Sequence, residues 1–556
     1  MRKIFIATCL LASISHASIG QSSTPTTGIK NFIKVWGFLK YHHPTIATGN
    51  IDWDSVFINN VQEIRDANNP NEFNKKILEV INMPGKVPKI NQQKTPDNLF
   101  LLNETNTTWI TTSKVFNNEV KTQLKYIYEN KNQDTNRYIK RSYNTTDFSG
   151  EKTYDSLGLP DVRYRLLFLS RFWNIINYYS PYKYLTTNWD DVLERFIPKI
   201  MASKDTLSYY KTLQELCKSL NDGHAQLTLP REASATDLFF GNYTVPFYCE
   251  IINDEVAIRN VSNDSLNKLL NIQQGDVVLK VNGKNIKEII NQRRRYITAS
   301  NYAGEMHELS KYILDGETPT VKLELKRGDK IIQTTVTRVS TQPKNWSIFY
   351  NYTHNDVGYK KLNDSVLLIY AAQIWNGNID TIKHLIKQSQ AVIFDVRNYP
   401  GNDAFFYITD PFLSEPKAID YSTIALPALP GLFKWELNPN KIGHHSDSAF
   451  KGKVIILCDA RTQSQGEYSC MVLQTIPQAV TIGSQTAGAD GIARKIPMGG
   501  GLHVYYSCYG VYYPDKTQTQ RTGIKIDIPV RKTVAALKNN KDEILDRALQ
   551  YIKTGK

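Results

Sequence analysis

The chain of 556 residues has little cysteine and no long hydrophobic run. Its six cysteines form no Cys-x-x-Cys pair and no cluster with metal-like spacing, so we expect neither a metal nor another cofactor. The cysteines after residue 20 are expected to be buried free thiols, although one disulfide is permitted: Cys217, Cys249, Cys458, Cys470 and Cys508. No later segment approaches the roughly 20 apolar residues of a membrane helix, which excludes an integral membrane span.

Charge of one sign is not concentrated anywhere in the sequence. The 67 Lys and Arg residues exceed the 53 Asp and Glu residues, giving a net charge of +14, but the basic residues are scattered and form no nucleic-acid arm. We therefore expect no nucleic-acid partner. Hydrophobic residues at 41% and charged residues at 22% exclude a disordered chain, and the length predicts several domains rather than one core.

The first residues have the pattern of an export signal. Met1-Arg2-Lys3 is positively charged, and the apolar stretch IFIATCLLASI that follows is too short to cross a bilayer. We assign residues 1–20 to a signal peptide and expect the mature chain to begin near Gln21, in the periplasm or outside the cell. The apolar stretch before Cys9 is too short to favour a lipoprotein signal. The sequence alone leaves lipid anchoring open.

An internal repeat follows the signal. Residues 35–57 (VWGFLKYHHPTIATGNIDWDSVF) are echoed by residues 172–193 (FWNIINYYSPYKYLTTNWDDVL). Both copies have helical apolar spacing, a proline stop and a Trp-Asp helix start, so each predicts a small helical unit with its aromatic residues in the core. We assign residues 21–150 to the first unit with a polar linker and residues 151–238 to the second.

The two copies differ where their last helices end. The second copy continues into the turn Asp222-Gly223-His224, whereas the first has no histidine at the corresponding place, which reads Met83-Pro84-Gly85-Lys86. Within the polar linker, LFLLN and TWITT are possible strands of a surface hairpin.

The rest of the chain contains two patterns of strands. Residues 239–342 have short alternating strands closed by Gly-Asp, Asn-Gly and Arg-Gly-Asp turns, which predict a small β module. Residues 343–556 have nearly unbroken apolar strands, VLLIYAA, AVIFDV and KVIILCD, alternating with helices. This pattern is typical of an α/β core covered on both faces, with ligands beyond the carboxyl ends of the strands.

Two loops at those strand ends hold the candidate chemistry. Ser464 lies between a buried strand and a helix, where a serine hydroxyl can serve as a nucleophile. The same spacing equally fits a helix N-cap, with Glu467 as its capping-box partner. In the second loop, the Gly401 N–H can pair with the Gln465 N–H as a two-donor oxyanion hole, or the loop can be only a tight turn.

Together these segments resemble the C-terminal processing, or tail-specific, serine peptidases. The resemblance covers about residues 165 to 550 and rests on DVRNYPGN (395–402), TQSQGE (462–467), GSQTAG (483–488), a PDZ-like LNIQQGDVVLKVNG (270–283) and a closing GIKIDIPV (523–530). It implies a multidomain α/β fold with a crotonase- or ClpP-like peptidase core, a preceding PDZ-like domain at 239–342, and Ser464 as the nucleophile.

The general base distinguishes two branches of that family. Bacterial processing proteases place a lysine where this chain has Ala489, and Lys495 comes six residues too late. The branch similar to the tricorn core uses a histidine ahead of the PDZ unit, which implies His224 as the base here. On local sequence alone, His224 is equally compatible with a helix C-terminal cap.

The identity of the third catalytic residue stays open, and so does the question whether the groove of the PDZ-like domain binds a free C-terminus. The related branch has a glutamate before the closing glycine, but this chain has Gln520 there; Glu467, Asp222 and Asp490 are the possible accessory carboxylates. The interpretation is an exported serine endopeptidase acting on unfolded proteins or C-terminal tails through Ser464 and His224. The alternative is a catalytically inactive peptide-binding protein on the same scaffold.

Overall fold

The computed structural model describes residues 25–91, 97–100, 107–142, 145–261, 270–340, 357–401, 403–409, 411–443 and 449–556. The predicted signal peptide lies outside the described residues. The α-helices are α1 Pro25–His42, α2 Pro44–Ala47, α3 Trp53–Arg65, α4 Pro70–Asn82, α5 Thr108–Thr111, α6 Asn118–Glu129, α7 Val162–Tyr179, α8 Trp189–Ala202, α9 Thr206–Lys218, α10 Ile286–Arg293, α11 Tyr302–Ser310, α12 Ile379–Gln388, α13 Gln465–Gln474, α14 Val534–Lys538 and α15 Glu543–Thr554.

The strands are short and fall into several sheets. They are β1 Leu99–Phe100, β2 Lys140–Ser142, β3 Thr145–Asp147, β4 Leu227–Thr228, β5 Tyr243–Thr244, β6 Phe247–Ile252, β7 Glu255–Val261, β8 Val277–Val281, β9 Lys284–Asn285, β10 Thr320–Arg327, β11 Lys330–Thr337, β12 Val339–Ser340, β13 Tyr359–Lys361, β14 Val366–Tyr370, β15 Ala391–Asp395, β16 Lys417–Ala425, β17 Phe433–Trp435, β18 Asn440–Ile442, β19 Lys453–Cys458, β20 Ala479–Gly483, β21 Ala493–Pro497, β22 His503–Ser507, β23 Gly510–Tyr512 and β24 Ile528–Pro529.

The repeat predicted from the sequence folds as two equivalent helix pairs. In the first copy the indole N–H of Trp36 donates to the carbonyl of Trp53 at 2.8 Å, and that of Trp53 donates back to the carbonyl of Trp36 at 3.0 Å. Trp173 and Trp189 make the same reciprocal pair in the second copy, at 3.0 and 3.2 Å. Burying an indole is favourable only when its N–H finds an acceptor, and this pairing provides one for each.

The linker between the copies is more helical than the sequence pattern indicated. TWITT was expected to be a strand, but Thr108–Thr111 is a helix, because Ile110 buries its side chain in the first helical unit. The next segment forms α6, whose N-terminus is capped by the Asn117 side chain, which accepts from the Val120 N–H.

Strands β6 to β11 form an antiparallel sheet flanked by α10 and α11. Its strand order is β11-β10-β8-β7-β6, with β9 paired to β8. The turn at Asn282-Gly283 has positive φ at both residues, 50° and 79°, which matches the Asn-Gly signal for a tight hairpin. The short strands and interposed helix agree with the predicted β module, while its identity as a PDZ-like domain stays a prediction.

The C-terminal part is a parallel sheet covered on both faces. Its order is β13-β14-β15-β19-β20-β24, in which β13 alone is antiparallel to its neighbour. Alternate residues of β15 point to opposite sides: Phe394 packs in the cluster with α12 and α13, and Ile393 in the cluster with α15. The α/β arrangement expected from the unbroken apolar strands is therefore confirmed.

The N-terminal helical part is joined to the C-terminal part by a small sheet. β22 pairs with β21 on one side and with β4 on the other, with Val504 opposite Leu227. Strand β4 begins three residues after His224, so this pairing fixes the histidine turn beside the C-terminal part. Within the described residues, no helix has the length and apolar character needed to cross a membrane.

Candidate active site

Ser464 lies on a strained turn between β19 and α13. Its backbone has φ 52° and ψ −120°, a region that costs a non-glycine residue about 1–3 kcal/mol. The turn is held because the Ser464 N–H donates to the carbonyl of Ala489 at 3.0 Å. Strain of this kind directs a serine away from its helix, so Ser464 borders a cleft while occupying the N-cap position.

Glu467 is fully buried one helical turn beyond Ser464 and holds the neighbouring loop in place. Its carboxylate accepts hydrogen bonds from the Thr486 hydroxyl at 2.5 Å and from the backbone N–H groups of Gly488 and Ala489, both at 2.8 Å. It also accepts from the Ser464 N–H at 3.3 Å, as the capping-box pattern predicted. Burial raises the pKa of Glu467, and these four donors partly oppose that shift.

His224 follows the turn after α9, and its ring is held through a serine. Nδ1 of His224 lies 2.9 Å from the Ser507 hydroxyl oxygen, which in turn donates to Oδ1 of Asp222 at 2.9 Å. The direct distance from Nδ1 to Oδ1 of Asp222 is 3.9 Å, so the carboxylate acts on the ring through Ser507. Because the hydroxyl proton is directed to Asp222, Ser507 accepts the proton of Nδ1, which leaves Nε2 as the free acceptor.

Asp222 is the centre of this network. Besides the Ser507 hydroxyl, it accepts the backbone N–H groups of Ser507 at 2.7 Å and His224 at 3.0 Å, and the Gln520 amide at 3.4 Å. Burial lowers the pKa of His224, and the charge of Asp222 partly opposes that effect. The imidazole is therefore neutral near pH 7, as a general base requires.

Ser464 and His224 line one cleft of about 480 Å³, the Ser464 cleft. Among the described residues, no hydrogen bond joins the Ser464 hydroxyl to the His224 ring. Catalytic hydrogen bonds are often long without substrate and shorten when substrate binds, so this geometry is compatible with proton transfer after a small closure.

The two expected oxyanion donors lie on loops that pack together. A Cβ placed on Gly466 would lie 3.7 Å from Cδ of Pro400, so the Gly401 loop contacts the first turn of α13. Within the described ranges, neither the Gly401 N–H nor the Gln465 N–H donates a hydrogen bond to the protein. Both are therefore available to a ligand.

Ala489, at the position where the bacterial processing proteases have a lysine, contacts the turn that carries His224. A Cβ added to Gly223 would lie 2.8 Å from Cβ of Ala489, so these two small residues are in close contact. The turn is fixed on both sides, since the Gly223 N–H donates to the Ser300 hydroxyl at 2.8 Å and the Gln463 amide donates to the Gly223 carbonyl at 3.2 Å. Lys495 lies on β21 and does not border the Ser464 cleft.

The remaining candidates have other surroundings. Asp490 is buried, and among the described residues it accepts the Gly491 N–H alone. Burial, with the nearby charge of Glu467, raises its pKa well above the ordinary range. No hydrogen bond or ion pair links it to His224 within the part of the chain that the structure describes. The five described cysteines are buried free thiols, as expected.

Comparison with known proteins gives the family of the C-terminal part. Residues 357–530, which include Ser464, Gly401 and Gln465, match peptidase family S41. The chain carries a peptidase family S41 domain. It is accordingly a serine-type peptidase acting on protein substrates. No curated protein matches the chain.

Solved structures resemble this chain in fold. Mature CPAF complexed with lactacystin aligns over 71% of this chain and 99% of that chain, with a TM-score of 0.55 and 13% identity. Mature CPAF aligns over 70% and 96%, with a TM-score of 0.53 and 13% identity. The photosystem II D1 C-terminal processing protease aligns over 66% and 92%, with 12% identity, but its TM-score of 0.37 is too low to support an argument.

Ser507 is the residue of the candidate site that the sequence did not indicate. It lies 283 positions from His224 in the sequence, on strand β22. The sequence of that strand, HVYYS, indicates only a partly buried strand. Ser507 comes close to His224 because β22 pairs with β4, and no local sequence pattern predicts that pairing.

Proposed function

We propose that this S41 peptidase is an exported serine endopeptidase in which Ser464 is the nucleophile and His224 the general base. The observation that carries the proposal is that both side chains border one cleft while Ser507 and Asp222 hold the far side of the imidazole. This leaves Nε2 of His224 as the only ring nitrogen free to accept a proton.

In the proposed mechanism, Nε2 of His224 takes the Ser464 hydroxyl proton while Oγ attacks the peptide carbonyl carbon. The N–H groups of Gly401 and Gln465 bind the resulting oxyanion. The imidazolium then gives its proton to the leaving amine, and water hydrolyses the acyl-enzyme with His224 acting as base again. Asp222 stabilises the imidazolium through Ser507.

The substrates we propose are unfolded proteins and C-terminal tails. The open Ser464 cleft and the adjacent antiparallel sheet support an extended peptide lying between the sheet and the peptidase domain, because an exposed strand edge can pair with peptide backbone. The basic and apolar start of the sequence supports export of the chain. Mass spectrometry of the secreted or periplasmic protein should then find an N-terminus near Gln21.

The activity is tested with an unfolded protein substrate and a serine-directed phosphonate. Ser464→Ala should abolish both hydrolysis and labelling, whereas Ser469→Ala, which removes a hydroxyl bonded within the same helix, should keep both. Loss of one catalytic member should reduce kcat by several orders of magnitude. Full hydrolysis by Ser464→Ala would refute the assignment, and an unlabelled, inactive wild type would favour the peptide-binding alternative.

The base is tested by comparing His224→Ala with Lys495→Ala. We expect His224→Ala to lose activity and Lys495→Ala to retain it, because only the histidine borders the cleft. The opposite result would exclude the histidine mechanism and restore a lysine base.

A further inference from the structure

The Ser464 cleft has a strongly basic wall. Four cationic side chains border it, from Arg259, Lys311, Arg397 and Arg461, against the single carboxylate of Glu308. Glu308 is paired with Lys311 at 2.6 Å, so the other three cations have no acidic partner on the cleft surface itself.

The hydrogen-bond donors of Arg397 are used by carboxylates of the protein itself. Its guanidinium donates to both carboxylate oxygens of Asp395, at 2.8 and 2.6 Å, and to Asp542 at 2.8 Å. It therefore shapes the loop that carries Gly401 and has little capacity for a ligand.

Arg259 and Arg461 have donors to spare. Arg461 uses Nε and Nη2 on Asp459, and among the described residues its Nη1 donates no hydrogen bond. Arg259 approaches Glu250 at 3.4 Å and stacks over the ring of Tyr248 at 5.6 Å, but within the same residues its guanidinium makes no hydrogen bond. Arg259 is thus held in place with its N–H groups unused.

Behind this wall, a third cation joins Arg259 and Arg461. Lys532 bridges Glu250 at 2.9 Å and Asp459 at 2.8 Å, so three cations, Arg259, Arg461 and Lys532, share two carboxylates. Both carboxylates are ionised near pH 7, since the nearby cations outweigh burial, lower the pKa of Glu250 to about 2 and hold the pKa of Asp459 well below its ordinary range. When Arg397 and its partners Asp395 and Asp542 are included, four cations face four carboxylates. An anion would therefore be bound by the spare N–H donors of Arg259 and Arg461 and not by an excess of positive charge.

A second cleft continues the first. It has a volume of about 360 Å³, includes Lys532 and Lys541, and shares Arg259, Arg397 and Arg461 with the Ser464 cleft. A chain bound at Ser464 can therefore extend past Arg259 and Arg461 without leaving the protein surface.

We propose that Arg259 and Arg461 form a carboxylate-binding subsite of the peptidase, which selects substrates carrying a carboxylate near the cleaved bond. The inference rests on the proposed function for the identity of the ligand as a peptide. The planar arginine fork is suited to bidentate binding of a carboxylate, whether it is an acidic side chain or the free C-terminus.

The test measures peptide binding to Ser464→Ala by fluorescence anisotropy, which does not depend on hydrolysis. Three forms of one peptide are compared: an internal glutamate with a C-terminal amide, glutamine in its place with the amide, and glutamine with a free C-terminus. We expect at least one carboxylate form to bind about tenfold more tightly than the fully neutral form. The form that gains affinity identifies the source of the carboxylate.

Variants in the Ser464→Ala background locate the subsite. Arg259→Gln should remove the preference, and Arg259→Lys, which keeps the charge without the fork, should retain part of it. Lys322→Gln removes an exposed charge from the same sheet, outside both clefts, and should leave the preference intact. Equal binding of all three peptides, or a full preference in Arg259→Gln, would overturn the proposal. Failure of the proposed function is distinct, since phosphonate labelling of the unmodified chain reports it separately.

Discussion

Among single residues, Ser507 has the most specific geometric role. Its hydroxyl accepts from Nδ1 of His224 and donates to Asp222, each at 2.9 Å, so it passes the orienting effect of the carboxylate to the ring. We predict that Ser507→Ala lowers kcat by about 10- to 100-fold with little change in KM, because the ring loses its orientation but the cleft keeps its shape. Ser507→Thr, which keeps the hydroxyl, should restore part of the rate. Equal rates for Ser507→Ala and the wild type would show that the ring needs no such support.

The pH dependence of activity reports the same network. In the proposed mechanism the active form has neutral His224, so kcat/KM should fall as the pH drops through its pKa, and burial places that pKa below the ordinary value of 6.5. The charge of Asp222 raises the pKa, so Asp222→Asn should move the acid limb to still lower pH while reducing the maximum rate. A pH–rate profile of both proteins checks this, and an acid limb of the wild type above 6.5 would contradict it.

The close contact between Gly223 and Ala489 predicts that a larger side chain at Gly223 reduces activity. Gly223→Ala should reduce kcat/KM by at least about tenfold, because the added Cβ would lie 2.8 Å from that of Ala489 and displace the turn that carries His224. The double variant Gly223→Ala with Ala489→Gly removes the clash and should recover activity. Gly158→Ala, whose added Cβ meets nothing within 4 Å, is the control. No recovery in the double variant would show that the contact does not limit the turn.

At the scale of helices and strands, the reciprocal tryptophan pairs stabilise both copies of the repeat. Trp36→Phe leaves the carbonyl of Trp53 without its donor, which should cost about 1–3 kcal/mol of unfolding free energy. Trp173→Phe should cost a similar amount in the second copy, since its indole bonds Trp189 in the same way. Thermal melting of the two variants checks the equivalence, and a large cost in only one copy would contradict it.

Elements with a regular pattern could be predicted from the sequence, and irregular ones could not. The strands that became β14, β15 and β19 were evident because they are apolar on both faces of a covered sheet. Helix α6 was missed inside a polar segment although Val120, Leu124 and Ile127 are buried at helical spacing. The polar composition around these three residues outweighed a short amphipathic signal.

The residues of the candidate site also differ in whether they could be predicted from a local motif or depend on contacts between distant parts of the chain. Ser464, Gly401 and His224 could be proposed because each lies in a short motif with its own turn. The support from Ser507 could not, since it depends on β22 meeting β4 across most of the chain. The basic wall was equally hidden, because Arg259 lies on β7, Arg461 lies in the turn after β19, and neither belongs to a run of positive charge.

For the whole molecule, activity depends on how firmly the helical part and the peptidase domain are docked. Arg521 joins them: its guanidinium donates to the carbonyls of Leu220 at 3.0 Å and Asn221 at 3.3 Å, next to the histidine turn. Its own backbone N–H donates to the carbonyl of Gly488 at 2.8 Å, beside the loop that supports Ser464. One residue therefore connects both halves of the site.

We predict that Arg521→Ala lowers kcat by about 10- to 100-fold, because His224 is then placed less accurately against Ser464. The acid limb of the pH–rate profile should stay where it is, since Asp222 and Ser507 still hold the imidazole. Arg531→Ala removes an exposed arginine ten residues further along and should have neither effect. If Arg521→Ala instead moved the acid limb as Asp222→Asn does, Arg521 would act on the charge of the histidine and not on the docking of the two parts.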